Sequence, residues 1–174
     1  MTEEKKCPYC GNETVELNEE SEAAGKYICS TCGKEFGLKS SEWISNCHTF
    51  YFTYGGFHEG FKEILIEERD SYADMTLTPP ISVSLDGELR LRITLNEWQA
   101  IKDELFNELF VLSWDGEYSD PDILDGTQWE LKLKFDGRKK FKTGGSNAFP
   151  VRMDDLLEYL DPYFEQVGAE EKNY

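Results

Sequence analysis

Two short segments constrain this chain more than any others: Cys7-Pro8-Tyr9-Cys10-Gly11 and Cys29-Ser30-Thr31-Cys32-Gly33. Each Cys-x2-Cys segment folds as a tight turn that aims two sulfurs at one point, and backbone N–H groups in the turn can donate to the thiolates. The glycine after each second cysteine permits the positive φ with which such a turn exits. Two such turns supply four soft, anionic ligands in a tetrahedron, which suits zinc. A redox dithiol pair and an iron centre of the same geometry share this spacing and stay open as alternatives.

The residues between the pairs fit a small sheet. Thr14-Val15-Glu16-Leu17 reads as a strand, Asn18 to Gly25 as a polar turn, and Lys26-Tyr27-Ile28 as a returning strand. Lys34-Glu35-Phe36-Gly37-Leu38 gives a third. With its two cysteine pairs, the stretch 1–40 resembles the zinc-ribbon family. That resemblance implies that Cys7, Cys10, Cys29 and Cys32 hold one structural Zn2+. It carries no single activity with it, because such ribbons occur in transcription factors, ribosomal proteins, enzymes and adaptors.

Charge narrows the partner. The 174 residues carry 35 acidic and 18 basic side chains, a formal net charge of −17. Such a field repels phosphate backbones and anionic lipid surfaces. Residues 1–40 hold five Lys against eight Glu, and four thiolates around one divalent ion add about two further negative charges. A protein-facing or purely structural ribbon is expected, with a basic protein as the natural partner and nucleic acid disfavoured. No apolar run reaches the roughly 18 residues that a membrane span needs. The first residues lead into the cysteine pair without an apolar signal segment. The expected address is cytoplasmic, where thiols stay reduced.

The rest of the chain, 41–174 after a boundary near Ser40-Ser41, alternates between apolar and polar residues as half-buried strands do. Phe50, Phe52 and Tyr54 share one side of a strand that Gly55-Gly56 punctuates, with Thr49 and Thr53 on the other. Phe61 to Glu67 is a further strand, and Ala73, Met75 and Leu77 mark the next, ended by Pro79-Pro80. Ile81, Val83 and Leu85 lead into Asp86-Gly87, a two-residue hairpin signal. Leu89, Leu91 and Ile93 return from it, with Arg90 and Arg92 facing away. Thr94-Leu95-Asn96-Glu97 reads as a capping box. It opens a helix whose apolar face is Leu95, Trp98, Ile101, Leu105 and Leu109.

Val111 to Trp114 reads as a short strand and Asp115 to Gln128 as a loop. Trp129, Leu131, Leu133 and Phe135 form another strand, turned at Asp136-Gly137 into one around Phe141. Gly144-Gly145-Ser146-Asn147 reads as a loop. Pro150 opens a final helix striped by Met153, Leu156, Leu157, Leu160 and Phe164. Pro162 limits its regular extent, and the tail from Gly168 is expected to fray. The segment from Asp125-Gly126-Thr127-Gln128-Trp129 to Gly145-Ser146-Asn147-Ala148-Phe149-Pro150 is similar to the ending of small bacterial proteins of unassigned activity. The expected fold is α+β: a small N-terminal four-cysteine zinc ribbon, then a mostly antiparallel sheet with helices packed on one face.

Other candidate sites have bland readings beside the chemical ones. Cys47 fits a small apolar core residue as well as a reactive thiol. His48 and His58 lack the framing that a metal or acid–base pair needs. Asp115, Asp120, Asp122 and Asp125 lack the spacing of a calcium loop, and turn chemistry explains them. The hairpin from Lys132 to Lys142 stands out. Lys132, Lys134, Arg138, Lys139, Lys140 and Lys142 oppose Asp136 alone, on an acidic chain. This face suits a partner's anionic groups, or lysines that discourage edge pairing. No phosphate-binding loop, dinucleotide fingerprint or nucleophile elbow is present. The expected function is a non-catalytic, protein-binding adaptor. A nucleic-acid factor using the ribbon and this hairpin, or an enzyme with an unrecognised site, are the alternatives.

Overall fold

Residues 4–13, 15–18, 25–38, 40–80, 87–123 and 126–170 are described by a computed structural model of the chain. The expected Asp86-Gly87 hairpin, the strand through Ile81, Val83 and Leu85, and Asp125 lie wholly or partly outside the described residues.

The N-terminal part is a three-stranded antiparallel sheet in the order β1 (Val15–Leu17), β2 (Tyr27–Cys29), β3 (Glu35–Phe36). A short helix, α1 (Glu42–Asn46), leads into the main sheet. That sheet contains β4 (Cys47–Gly56), β5 (Gly60–Glu68), β6 (Ala73–Thr78), β7 (Leu89–Ile93), β8 (Glu117–Ser119), β9 (Thr127–Phe135) and β10 (Lys140–Ser146). Their spatial order is β7-β6-β5-β4-β9-β10-β8, antiparallel throughout except for the parallel pair β10 and β8. With its two longer helices, α2 (Leu95–Asp103) and α3 (Met153–Glu170), the chain is of the α+β class, a large mostly antiparallel sheet with a four-cysteine cluster near the N-terminus. Among the described residues, no helix is long and apolar enough to cross a membrane.

Register explains why one face is buried. Phe50 lies opposite both Ile66 and Leu133, and Phe52 opposite both Ile64 and Leu131. Met75 continues the first row and Leu77 the second. All of these are fully buried, and Trp98, Ile101, Leu105, Leu156 and Leu160 of the helical segments join the same core. The period of two along each strand sends the intervening residues to the other face. There Tyr51, Lys132 and Lys142 lie in one row, and Thr49, Lys134 and Lys140 in the next.

Five local expectations differ from the structure. Val111–Ser113 is a 3-10 turn and not a strand. Phe110 before it takes a left-handed conformation with φ 52°, and Trp114 Nε1 donates back to the Leu109 carbonyl at 3.1 Å. The helix from Leu95 widens into a π-helical turn over Glu104–Glu108, and Leu95 itself is partly exposed. The segment Asp115 to Gln128 is not all loop, since it contains β8, and Gly144 to Ser146 are strand residues paired with it. Glycine is needed there: a β-carbon on Gly145 would meet Ala148 O, Trp129 Nε1 and Tyr118 O at 2.7 Å each. Finally, α3 runs through Pro162 to Glu170. Pro162 is solvent-exposed, so the carbonyl that loses its bond to the proline nitrogen can be hydrated.

Candidate metal centre

The two cysteine turns are built alike. Gly11 N donates to Cys7 O at 2.9 Å and Gly33 N to Cys29 O at 2.8 Å. Cys7 N donates to Asn12 O and Cys29 N to Lys34 O, each reaching five residues ahead. Gly11 and Gly33 exit at φ 75° and 73°, a conformation that costs other residues about 1–2 kcal/mol. The β1–β2–β3 sheet fixes how the turns face each other, with Val15 opposite Cys29 and Ile28 opposite Glu35.

All four sulfurs lie within 4.8 Å of one another. Cys7 and Cys32 approach to 3.7 Å, and Cys10 and Cys29 to 3.6 Å. Cys7 and Cys29 are buried and Cys10 and Cys32 exposed, and none of the four is in a disulfide. Tyr9 N points at Cys7 Sγ at 3.4 Å. Burial pushes the Cys7 thiol up to about 12. Cys29 is subject to burial too, but the backbone N–H groups of Cys32 and Thr31 draw it down to about 6. The group can hold one metal ion. No other such cluster of His, Cys, Asp and Glu occurs among the described residues.

No family model, curated protein or solved structure matches the chain.

The cysteine sheet is fastened to the rest of the molecule by residues that the sequence did not single out. Phe110 leaves the main core and completes a small cluster with Cys7, Tyr27, Cys29 and Phe36. Its ring lies 4.7 Å from Phe36 and 5.7 Å from Tyr27, edge-on to both. Arg152, nearly buried, donates through Nη1 to Lys6 O at 3.2 Å and to Glu108 O at 2.9 Å. Lys5 pairs with Glu108. The one signal for Phe110 in the sequence is the run Leu109-Phe110-Val111, which has more apolar residues than a single helix stripe can bury.

The remaining candidates separate. His48 bonds Thr49 Oγ1 through Nδ1 at 2.8 Å at the start of β4. His58 stands edge-on to Phe57 in the β4–β5 turn, at the far end of that strand. Cys47 is fully buried, and burial pushes its thiol up to about 12 although the Lys102 charge pulls it down. Lys102 is itself buried, donating to Cys47 O at 3.3 Å and to Glu68 at 3.5 Å. Asp120 and Asp122 make a local turn, with Asp122 N donating to Asp120 Oδ1 at 3.1 Å. The peptide N–H of Asp115 donates to the Tyr118 hydroxyl at 2.9 Å.

The basic hairpin is brought together. Lys134 pairs with Lys140 and Lys132 with Lys142 across β9 and β10, so all four share the open face. Glu130 bonds Lys132 at 2.6 Å and Lys142 at 2.8 Å. Burial would raise its carboxyl, but those two lysines hold it below the usual range.

Proposed function

We propose that this chain is a non-catalytic, protein-binding adaptor whose N-terminal ribbon is locked by one structural zinc ion on Cys7, Cys10, Cys29 and Cys32. The four-sulfur set carries the reading. A tetrahedron with zinc–sulfur arms of 2.3 Å has edges of about 3.8 Å, close to the 3.6 and 3.7 Å separations of the closest sulfur pairs. Four cysteines fill the coordination shell, whereas a catalytic zinc keeps a position open for water or substrate. Zinc here holds a sheet too small to fold on burial alone, and Phe110 and Arg152 transmit that order to the body.

The excess of acidic side chains supports a protein partner with a basic surface. On α3, Asp154, Glu158, Asp161 and Glu165 lie three or four residues apart and are exposed, so they form one stripe of the helix. Complementary charge raises association rates and selects partners more than it adds affinity.

Elemental analysis of protein purified without chelator is expected to return one zinc per chain, and none after Cys10→Ser with Cys32→Ser. Iron in that position, or a Cys7–Cys10 disulfide in reduced protein, counts against the zinc assignment. Co-purification from native cells is expected to yield a protein in defined stoichiometry. Nucleic acid recovered instead, and released by salt, favours the nucleic-acid reading.

A further inference from the structure

The end of the β9–β10 hairpin is built differently from the rest of its face. Lys132 and Lys142 share the single carboxylate of Glu130. Lys134, Arg138 and Lys140 have no carboxylate within ion-pair distance among the described residues. In a chain with 35 acidic side chains, this is a concentration of cations that make no ion pair, although Asp136 lies between them in the turn. Arg138 also takes φ 63° immediately after Gly137 at φ 72°. A residue with a β-carbon bears a cost there that glycine would avoid, and strain kept at one position points to a use for the side chain. Trp43 of α1 lies at the same end of the hairpin, partly exposed, edge-on to Phe135 at 5.1 Å and capped by Lys139 at 5.4 Å. Trp and Arg are the residue types that most often anchor protein interfaces.

The backbone of the same corner is open. β8 pairs with β10 only at Gly144–Ser146. Beyond it, Thr143 Oγ1 donates to the Asp115 carbonyl. The outer edge of Lys140 to Lys142 pairs with no strand among the described residues. An added strand would find main-chain hydrogen bonds there, and its alternate side chains would face Lys140 and Lys142.

We propose that this corner docks an extended acidic segment of a partner protein, which adds to the edge of β10. Asp or Glu at every second position of the segment meets Lys140 and Lys142 on the open face, Lys134 adds its charge from one strand further in, and the end of the segment reaches Arg138. The lysines that repel a generic or basic strand from this edge select an acidic one. The net negative charge of the chain does not forbid this, because exposed charges farther than about 8 Å are largely screened at physiological salt. The proposal rests on the protein-binding reading above and adds the face and the chemistry of a segment bound there.

Fluorescence anisotropy of the full zinc-loaded chain tests it with three probes. These are a labelled peptide alternating Glu and Val, the same peptide with a central proline, and a single-stranded oligothymidine. The alternating peptide is expected to bind saturably. The proline peptide should bind at least about tenfold more weakly, because a strand hydrogen bond is lost. Lys134→Glu with Lys140→Glu should weaken the alternating peptide by a similar factor, while arginine at both positions preserves binding. Arg138→Gly supplies the control for folding. It should leave Tm unchanged or raised, since glycine suits that φ, while weakening the peptide. The proposal is overturned if Lys134→Glu with Lys140→Glu leaves peptide affinity unchanged, if proline has no effect, or if oligothymidine binds more tightly than the peptide. A cellular partner retained by the Lys134→Glu, Lys140→Glu protein would sink this docking edge alone. Recovery of no protein partner at all would sink the broader reading.

Discussion

Phe110 is where the two parts of the molecule meet in a single side chain. Its backbone turns left-handed between the π-helical turn and the 3-10 turn, and its ring is buried against Phe36 and Tyr27 rather than in the main core. Truncation removes a buried aromatic and leaves a void that the flanking sheet is too small to close. Phe110→Ala is expected to cost about 3–5 kcal/mol, read from urea denaturation, and to speed metal loss to a competing chelator. Cys47 gives a contrasting prediction. Its thiol is protonated at neutral pH and inaccessible. Iodoacetamide should leave it unmodified in the folded, metal-loaded chain, while all five cysteines react after unfolding with chelator present; mass spectrometry reads the difference. Burial raises this thiol above its unfolded value of about 8.5. Its contribution to stability is therefore complete below that value and is lost as pH climbs toward about 12.

Among the elements, α2 is the one whose start is written most plainly in the sequence. Thr94 Oγ1 accepts from Glu97 N at 3.1 Å, and the Glu97 side chain accepts from Thr94 N at 2.9 Å. Thr94→Ala should cost about 1 kcal/mol, measured as a shift in denaturation midpoint without change in slope. The capping box could be read because it is local. So could β4, β6 and β9, where burial of one face forces strict alternation. β8 could not: Glu117-Tyr118-Ser119 has no apolar rhythm and is a strand only because β10 lies beside it. Gly144 and Gly145 looked like a loop because the chemistry that needs glycine there, close approach of Ala148 and Trp129, is tertiary. At the four-cysteine group, which sulfurs come together was legible from covalent spacing, whereas Phe110, Arg152 and Glu108 join its surroundings through folding alone.

For the molecule as a whole, the question is how far loss of metal spreads. Zinc supplies on the order of 10–16 kcal/mol to comparable small peptides, and among the described residues of 4–38 only Cys7, Tyr27, Cys29 and Phe36 enter the small buried apolar cluster, which Phe110 completes. The main sheet and its helices bury their own continuous core. Chelation should therefore abolish amide protection in 4–38 and weaken the body only by what Phe110 and Arg152 lose. Trp43, Trp98, Trp114 and Trp129 all lie in the body, so their emission should change little in the same experiment. Collapse of tryptophan emission together with N-terminal protection would instead mean that the two parts fold as one cooperative unit.

The reach from Lys5 and Lys6 to Glu108 and Arg152 also sets an order of events during synthesis. A ribosome adding about 5–20 residues per second releases both cysteine turns several seconds before Phe110, and Arg152 later still. If the proposed site takes a metal, a nascent chain can bind it before the surface that anchors the sheet exists. During that interval all four sulfurs are open to whichever thiophilic ion or oxidant is nearest, and docking of Phe110 covers the inner pair, Cys7 and Cys29, while Cys10 and Cys32 stay exposed.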